Sequence, residues 1–217
     1  MKKTMIALVC LLLTAGTAMA QKTLTFGPKI GVDYTHFWGK DAMHGGQFNY
    51  QAGLFLEYRF DSKVALAPEV VFAAQGGKYN YGYYDQDPES PYAAQYGLYD
   101  RPATYHMNYI NVPVLFKYYA SPSLSLDFGP QLGFNVYSKV TIGQDPKGIY
   151  PQEIVSLREN TKRVDLGLGL GVTYNITENV FVQARYTFGL TNAYAKNVQW
   201  GVKQKNGNAQ IAIGFRF

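Results

Sequence analysis

The chain has 217 residues, a formal net charge of +5, 22 glycines, 19 tyrosines, 13 phenylalanines and one cysteine. That length suits one domain with a sizeable core, the charge is too small to argue for a nucleic-acid partner, and a lone cysteine excludes a disulfide framework. Glycine and tyrosine at this level point to a barrel-forming β protein.

At the N-terminus, Lys2 and Lys3 precede an apolar run over 5–13, and the small-residue pattern Ala18-Met19-Ala20 follows. That order predicts a secretory signal peptide over 1–20, cleaved between Ala20 and Gln21. The run is about half of the ~20 residues an α-helix needs to cross a bilayer, which disfavours a retained anchor. Cys10 lies inside the run rather than after the cleavage site, which argues against lipid attachment. The remaining domain, 21–217, then holds no cysteine, and without Lys2 and Lys3 it carries 18 basic and 15 acidic residues.

From there the chain alternates at period two, the mark of strands with one apolar face, in eight successive runs. The first, 24–34, sets Leu24, Phe26, Ile30, Val32 and Tyr34 against Thr25, Gly27, Lys29, Gly31 and Asp33. The second, 50–60, sets Tyr50, Leu54, Leu56, Tyr58 and Phe60 against Gln51, Gly53, Glu57 and Arg59. In the third, 64–75, Leu66, Val70 and Phe72 oppose Ala67, Glu69 and Ala73, and Pro68 requires a bulge or a gap in the ladder. The fourth, 110–119, places Lys117 opposite Ile110, Val112, Val114 and Phe116, and the fifth, 124–135, places Asp127 and Gln131 opposite Leu124, Leu126, Phe128 and Leu132. The sixth, 164–176, interleaves Val164, Leu166, Leu168, Leu170 and Val172 with Asp165, Gly167, Gly169, Gly171 and Thr173. In the seventh, 180–190, Val180, Val182, Ala184, Tyr186 and Phe188 face away from Gln183, Arg185 and Thr187. The eighth ends the chain with Ile211, Ile213, Phe215 and Phe217 opposite Gln210, Ala212, Gly214 and Arg216.

Connections alternate in length. Tight turns at 61–63, 120–123 and 177–179 are interleaved with long loops at 35–49, 76–104, 143–162 and 192–207. Short turns on one rim and long loops on the other are the pattern of transmembrane β-barrels, with the turns and both chain ends periplasmic. Alternation alone also fits a soluble barrel with its apolar face inward. The polar face decides against that reading, because its charges are outnumbered by Gly, Ala, Ser, Thr, Asn and Gln, too few for a water-facing surface. Large apolar residues fill the other face of every run, more volume than an eight-stranded interior holds. Tyr and Phe also gather near run ends, as at Tyr34, Tyr58, Phe60, Tyr118 and Tyr174, where interfacial girdles belong. The fold class predicted is all-β, an eight-stranded antiparallel up-and-down transmembrane β-barrel.

The closing stretch Ile211-Ala212-Ile213-Gly214-Phe215-Arg216-Phe217 resembles the terminal-strand signature of outer-membrane barrels, which the outer-membrane assembly machinery recognises; Phe215 and Phe217 carry it. With Gly27-Pro28-Lys29-Ile30-Gly31, Asn111-Val112-Pro113-Val114-Leu115-Phe116-Lys117-Tyr118, Gly129-Pro130-Gln131-Leu132-Gly133 and Arg185-Tyr186-Thr187-Phe188-Gly189-Leu190-Thr191-Asn192, the whole of 21–217 resembles the PorT-like outer-membrane β-barrel family. The resemblance implies residence in the outer membrane of a Gram-negative bacterium, amid its lipids and lipopolysaccharide. Since the family's namesake is implicated in protein secretion across that membrane, it also implies secretion-accessory work as one role.

Lys29, Glu57, Arg59, Glu69, Lys117, Asp127, Arg185 and Arg216 fall on the inward face with complementary signs, as a low-dielectric interior demands. They fit either a gate in a narrow channel or a permanent polar plug, and eight strands leave an interior that side chains can fill, which favours the plug. The loop 76–104 holds Tyr79, Tyr81, Tyr83, Tyr84, Tyr92, Tyr96 and Tyr99, rings that would either bind a protein or glycan or cap the mouth. Asp85-Gln86-Asp87-Pro88-Glu89 lacks the glycine and spacing of a calcium loop, so no metal is assigned. An enzyme would need a base beside a nucleophile. His36, His44 and His106, with Tyr105 and Ser90, form too thin a constellation, and Gly167-Leu168-Gly169-Leu170-Gly171 alternates as a strand rather than opening a helix over a dinucleotide. No catalytic residue and no cofactor are assigned. The function expected is structural or surface-binding, through the long loops and without an open pore. A secretion or transport accessory comes second and an outer-membrane enzyme third.

Overall fold

The computed structural model describes residues 24–40, 45–83, 99–144, 151–194 and 203–217, with backbone alone at 80–83 and 99–100. The leader and the cleavage site at Ala20 and Gln21 lie outside these residues, as do His44, Ser90, Tyr84, Tyr92, Tyr96 and the segment 85–89. Among the described residues nine strands are present: β1 (Leu24–Trp38), β2 (Gln47–Arg59), β3 (Val64–Tyr83), β4 (Tyr99–Tyr119), β5 (Leu124–Ile142), β6 (Glu153–Ser156), β7 (Val164–Asn175), β8 (Val180–Gly189) and β9 (Lys205–Phe215). Eight form a closed antiparallel ring in the order β1, β2, β3, β4, β5, β7, β8, β9, with β9 returning to β1. The ninth, β6, pairs only with the far end of β5. Closure leaves no sheet edge within the ring, the condition for a sheet to sit in lipid.

The faces are inverted relative to a water-soluble protein. Ile30, Leu54 and Ile211 are about 60% exposed, while Lys29, Glu57 and Asp127 are at most 2% exposed inside the ring. The three tight turns share one rim, and each is tied by a local side-chain acceptor. Asp61 accepts from the backbone N–H of Lys63 and Val64 at 2.6 and 2.8 Å, Ser121 Oγ from Leu124 at 3.1 Å, and Thr177 Oγ1 from Val180 at 2.9 Å. Such side chains mimic a backbone turn and fix hairpin register. Pro68 is accommodated by a gap: pairing between β2 and β3 stops at Phe55↔Glu69 and resumes at Tyr58↔Leu66 in unchanged register.

The expected loops are shorter than the spacing suggested. β1 continues to Trp38, β3 and β4 extend the ladder to Tyr83 and Tyr99, β6 occupies part of 143–162, and β9 begins at Lys205. Alternation marks only the band where one face meets lipid; above it both faces can be polar, so the ladder continues without a period-two signal. β5 also runs past Asn135, through a bulge. Asn108 pairs Tyr137 but Tyr109 pairs Asn135, which leaves Val136 as the extra residue. Odd positions of β5 face inward up to Asn135 and even ones thereafter, at Ser138 and Val140.

Candidate functional site

Each barrel strand presents its odd or even set to the interior, and closure converts those sets into one hydrogen-bonded network with two foci. Toward the short-turn rim, Glu57 of β2 accepts from Tyr119 Oη at 2.5 Å and Arg59 Nε at 2.9 Å, with Lys117 Nζ at 3.2 Å and Arg216 Nη2 at 3.6 Å. The Arg59 guanidinium lies 4.1 Å over the Tyr119 ring. Beside them Asp127 accepts from Ser125, Thr173 and Gln183 at 2.8, 2.5 and 3.0 Å, and lies 3.9 Å from Lys117. One layer up, Glu69 Oε2 receives both Lys29 Nζ at 2.6 Å and Arg185 Nη2 at 2.9 Å. Gln183 joins the foci, donating to Asp127 and accepting from Lys29 at 2.9 Å, while Arg185 Nε donates to Gln210 at 3.0 Å.

All eight charges singled out from the sequence therefore meet in the lumen. The alternating glycines have a use there: a Cβ at Gly169 or Gly171 would come within 3.3 Å of Arg185 Cδ or 3.0 Å of Arg185 Cβ, so their absence of side chains makes room for that guanidinium stem. Asp33 differs from its neighbours, since it is buried with neither carboxylate oxygen in a well-formed hydrogen bond.

Above the polar layers lies a second seal that sequence reasoning missed. Phe37, Tyr105, Met107, Tyr109 and Val140 from the extended strand ends pack with Leu157, Ala193 and Tyr194 into a buried apolar cluster. Phe37, Tyr105 and Tyr194 form a triangle with ring centroids 6.3 to 6.5 Å apart. Gly76 permits the bend beneath it, with φ of 141° and a hypothetical Cβ 1.9 Å from the Tyr105 carbonyl oxygen. Between the two seals the interior keeps a cavity of about 10 Å³ lined by Gln75, Asp165, Thr187, Asn206 and Asn208, room for about one water molecule. The signal for this seal was weak because all of its residues fall outside the eight alternating runs.

The remaining candidates scatter. Tyr79 is exposed near the end of β3, and Tyr81, Tyr83 and Tyr99 belong to the β3 and β4 backbone ladder rather than to a loop. Phe215 and Phe217 point outward at the short-turn rim, 5.0 Å apart, with Phe26 5.8 Å from Phe217. His36 Nε2 lies 3.2 Å from the Tyr186 hydroxyl on the outer wall. Tyr105 faces the apolar seal and His106 faces away from it, as neighbours on a strand must, so the two do not form a site. Burial, with Lys139 nearby, holds the His106 imidazolium below the usual histidine range. Among the described residues no group of His, Cys, Asp and Glu could hold a metal ion, and no helix is long and apolar enough to cross a membrane.

A family model for the outer membrane protein beta-barrel domain matches residues 19–195. No curated protein matches the sequence. Among solved structures, Neisserial surface protein A is similar with a TM-score of 0.53 at 11% identity, over 88% of this chain and 97% of that one. The attachment invasion locus protein Ail of Yersinia pestis has a TM-score of 0.47 at 15% identity, over 91% and 100%. At such identity the first likeness speaks for the fold alone.

Proposed function

The chain belongs to the outer membrane protein beta-barrel domain family, and from that premise we propose that it is a structural and surface-binding protein of the Gram-negative outer membrane, acting through the parts beyond its outer rim rather than as an open pore. The observation that carries this is the doubly sealed lumen, a charge network below and an apolar cluster above, with space for about one water between. The binding surface would be the β3–β4 projection, where Tyr79, Tyr81, Tyr83, Tyr84, Tyr92, Tyr96 and Tyr99 supply rings for a protein or glycan. Export would use the leader with cleavage between Ala20 and Gln21, and Phe215 with Phe217 would serve as the assembly signal. N-terminal sequencing of the mature protein checks the first, and loss of membrane insertion in Phe217→Ser checks the second.

The deciding experiment is capture of partners from intact cells by the full chain and by a variant that lacks residues 84–98 and carries Tyr79→Ser, Tyr81→Ser, Tyr83→Ser and Tyr99→Ser. A partner lost with the loop supports the binding role; an unchanged set of partners refutes it. A second reading, an accessory of a secretion assembly, has the PorT-like motifs at 27–31 and 111–118 in its favour. It predicts secretion-machinery components among partners retained without the loop.

A further inference from the structure

The cavity between the two seals is walled by an acid, amides and a hydroxyl, with no cation among them. Asp165 on β7, Thr187 on β8 and Asn206 and Asn208 on β9 line it, and Gln75 on β3 and Gln131 on β5 complete the polar wall. Gly133 and Gly167 bring no side chain into this space, where a Cβ on Gly167 would stand 3.1 Å from Thr187 Cγ2. Asn208 is 2% and Thr187 5% exposed, yet neither amide atom of Asn208 makes a well-formed hydrogen bond, nor does the Thr187 hydroxyl. Buried polar atoms call for partners, and these line one space.

Charge separates the possible occupants. The Asp165 oxygens accept from Thr191 Oγ1 and, at 2.7 Å, from Asn206 Nδ2, both neutral donors, which leaves each oxygen a lone pair to share. Among the described residues Asp165 has no ion pair, and Lys162 acts on it only from beyond ion-pair distance. Asp33, beside Asn208, has none either. Lys29 and Arg185, the two cations of this section, are both bound to Glu69. From Glu69 up to the apolar seal, the inward acids Asp33, Glu69 and Asp165 thus exceed the bases by one charge, in an interior where an uncompensated charge is costly. A water molecule would satisfy the hydrogen bonds and leave that charge; a monovalent cation satisfies the oxygens and cancels it.

Carboxylate, carboxamide and hydroxyl oxygens suit hard cations. Space for about one water does not admit magnesium with the waters it usually keeps, and calcium, which takes more oxygens, would leave the section positive. No group of His, Cys, Asp and Glu gathers among the described residues to hold a transition metal. We propose that the cavity binds one dehydrated sodium ion, held by the Asp165 carboxylate, Asn208 Oδ1 and Thr187 Oγ1, with the Gln75 and Gln131 carboxamides completing its shell. The ion ties together β7, β8 and β9, the last strands of the ring. This site goes beyond the role proposed for the outer loops and does not depend on it.

The test refolds the mature full chain from urea into uncharged detergent, in sodium chloride or in choline chloride of equal ionic strength, choline being too large for the cavity. The folded fraction is read from the heat-modifiable band at fixed urea. In sodium the folded-to-unfolded ratio is expected to rise about tenfold for each tenfold increase in the ion above its dissociation constant, and in choline to stay flat. Chains refolded with radioactive sodium and passed through a gel-filtration column in choline chloride should retain about one ion each. Asp165→Asn removes the charge; Gly167→Ala fills the space and leaves every donor in place. Both should lose the retained ion and the sodium dependence, and Gly167→Ala keeps the comparison open should Asp165→Asn fail to fold. A sodium dependence that both variants lose, even without retention, supports the site and shows that the ion exchanges through the seals. Wild-type stability indifferent to sodium, with no ion retained, makes water the occupant and overturns the proposal. Retention by both variants equal to wild type overturns it too, as does stabilisation by calcium or magnesium in place of sodium.

Discussion

Glu69 meets Lys29 and Arg185 in the interior, where none of the three is hydrated by bulk solvent. Removing one member of such a cluster strands the others, at a cost of about 3–5 kcal/mol. Glu69→Ala is therefore expected to lower stability by that amount, read from the urea dependence of the heat-modifiable folded band; a loss under ~1 kcal/mol would mean that the network is not closed as described. Asp33 gives the opposite sign. Its carboxylate is buried without a well-formed hydrogen bond, so Asp33→Asn removes the desolvation cost of that charge and should stabilise by about 1 kcal/mol in the same assay; a destabilised variant would show that attraction to Arg185 and Lys29 outweighs that cost. The inward placement of all eight network charges was legible, because at period two a residue's parity decides its face. Their pairings were not. Glu57 on β2 and Arg216, just past β9, lie far apart in the chain, and only ring closure brings β9 to β1 and Arg216 to Glu57.

Among the elements, β5 shows how much one residue can redirect. Without the bulge at Val136, Tyr137 and Lys139 would point inward, and Ser138 and Val140, which now close the lumen and join the apolar seal, would turn outward. Deleting Val136 alone should leave Ser138 and Val140 inward in an unbroken ladder, but deleting Val136 together with Tyr137 should push the Lys139 ammonium toward that seal and open the mouth. The expected result is new trypsin cleavage beyond the outer rim in intact cells while the membrane-embedded barrel band persists; an unchanged digestion pattern would show that the bulge does not set the faces. The strands' lipid-facing stretches were readable from alternation, and Pro68 rightly required an interruption, which is a gap in the ladder between β2 and β3. Strand ends beyond the lipid band were not readable. In 76–83 and 99–104, glycine, tyrosine and polar residues satisfy a ladder in water as well as they would a loop, so nothing in their order separates the two.

For the molecule as a whole, two seals of different chemistry stand in series. Opening one should not suffice: Tyr105→Ala with Tyr194→Ala is expected to leave a planar bilayer silent, because Arg185, Glu69 and Lys29 still fill the section below. Adding Arg185→Ala and Lys117→Ala, one cation from each focus of the network, to that pair should produce conductance steps; steps from wild type, or from the outer pair alone, would contradict the series arrangement. The order of residues by itself determined the barrel, its inverted faces and the charges inside it. Those follow from local rules, since lipid and lumen lie on opposite sides of every strand and a side chain's position in the run selects one of them. Only the tertiary structure decided which charges meet, where the bulge falls, and that strand ends and loop residues combine into an outer apolar seal. Each of these depends on the register between strands far apart in sequence, and register is set when the ring closes.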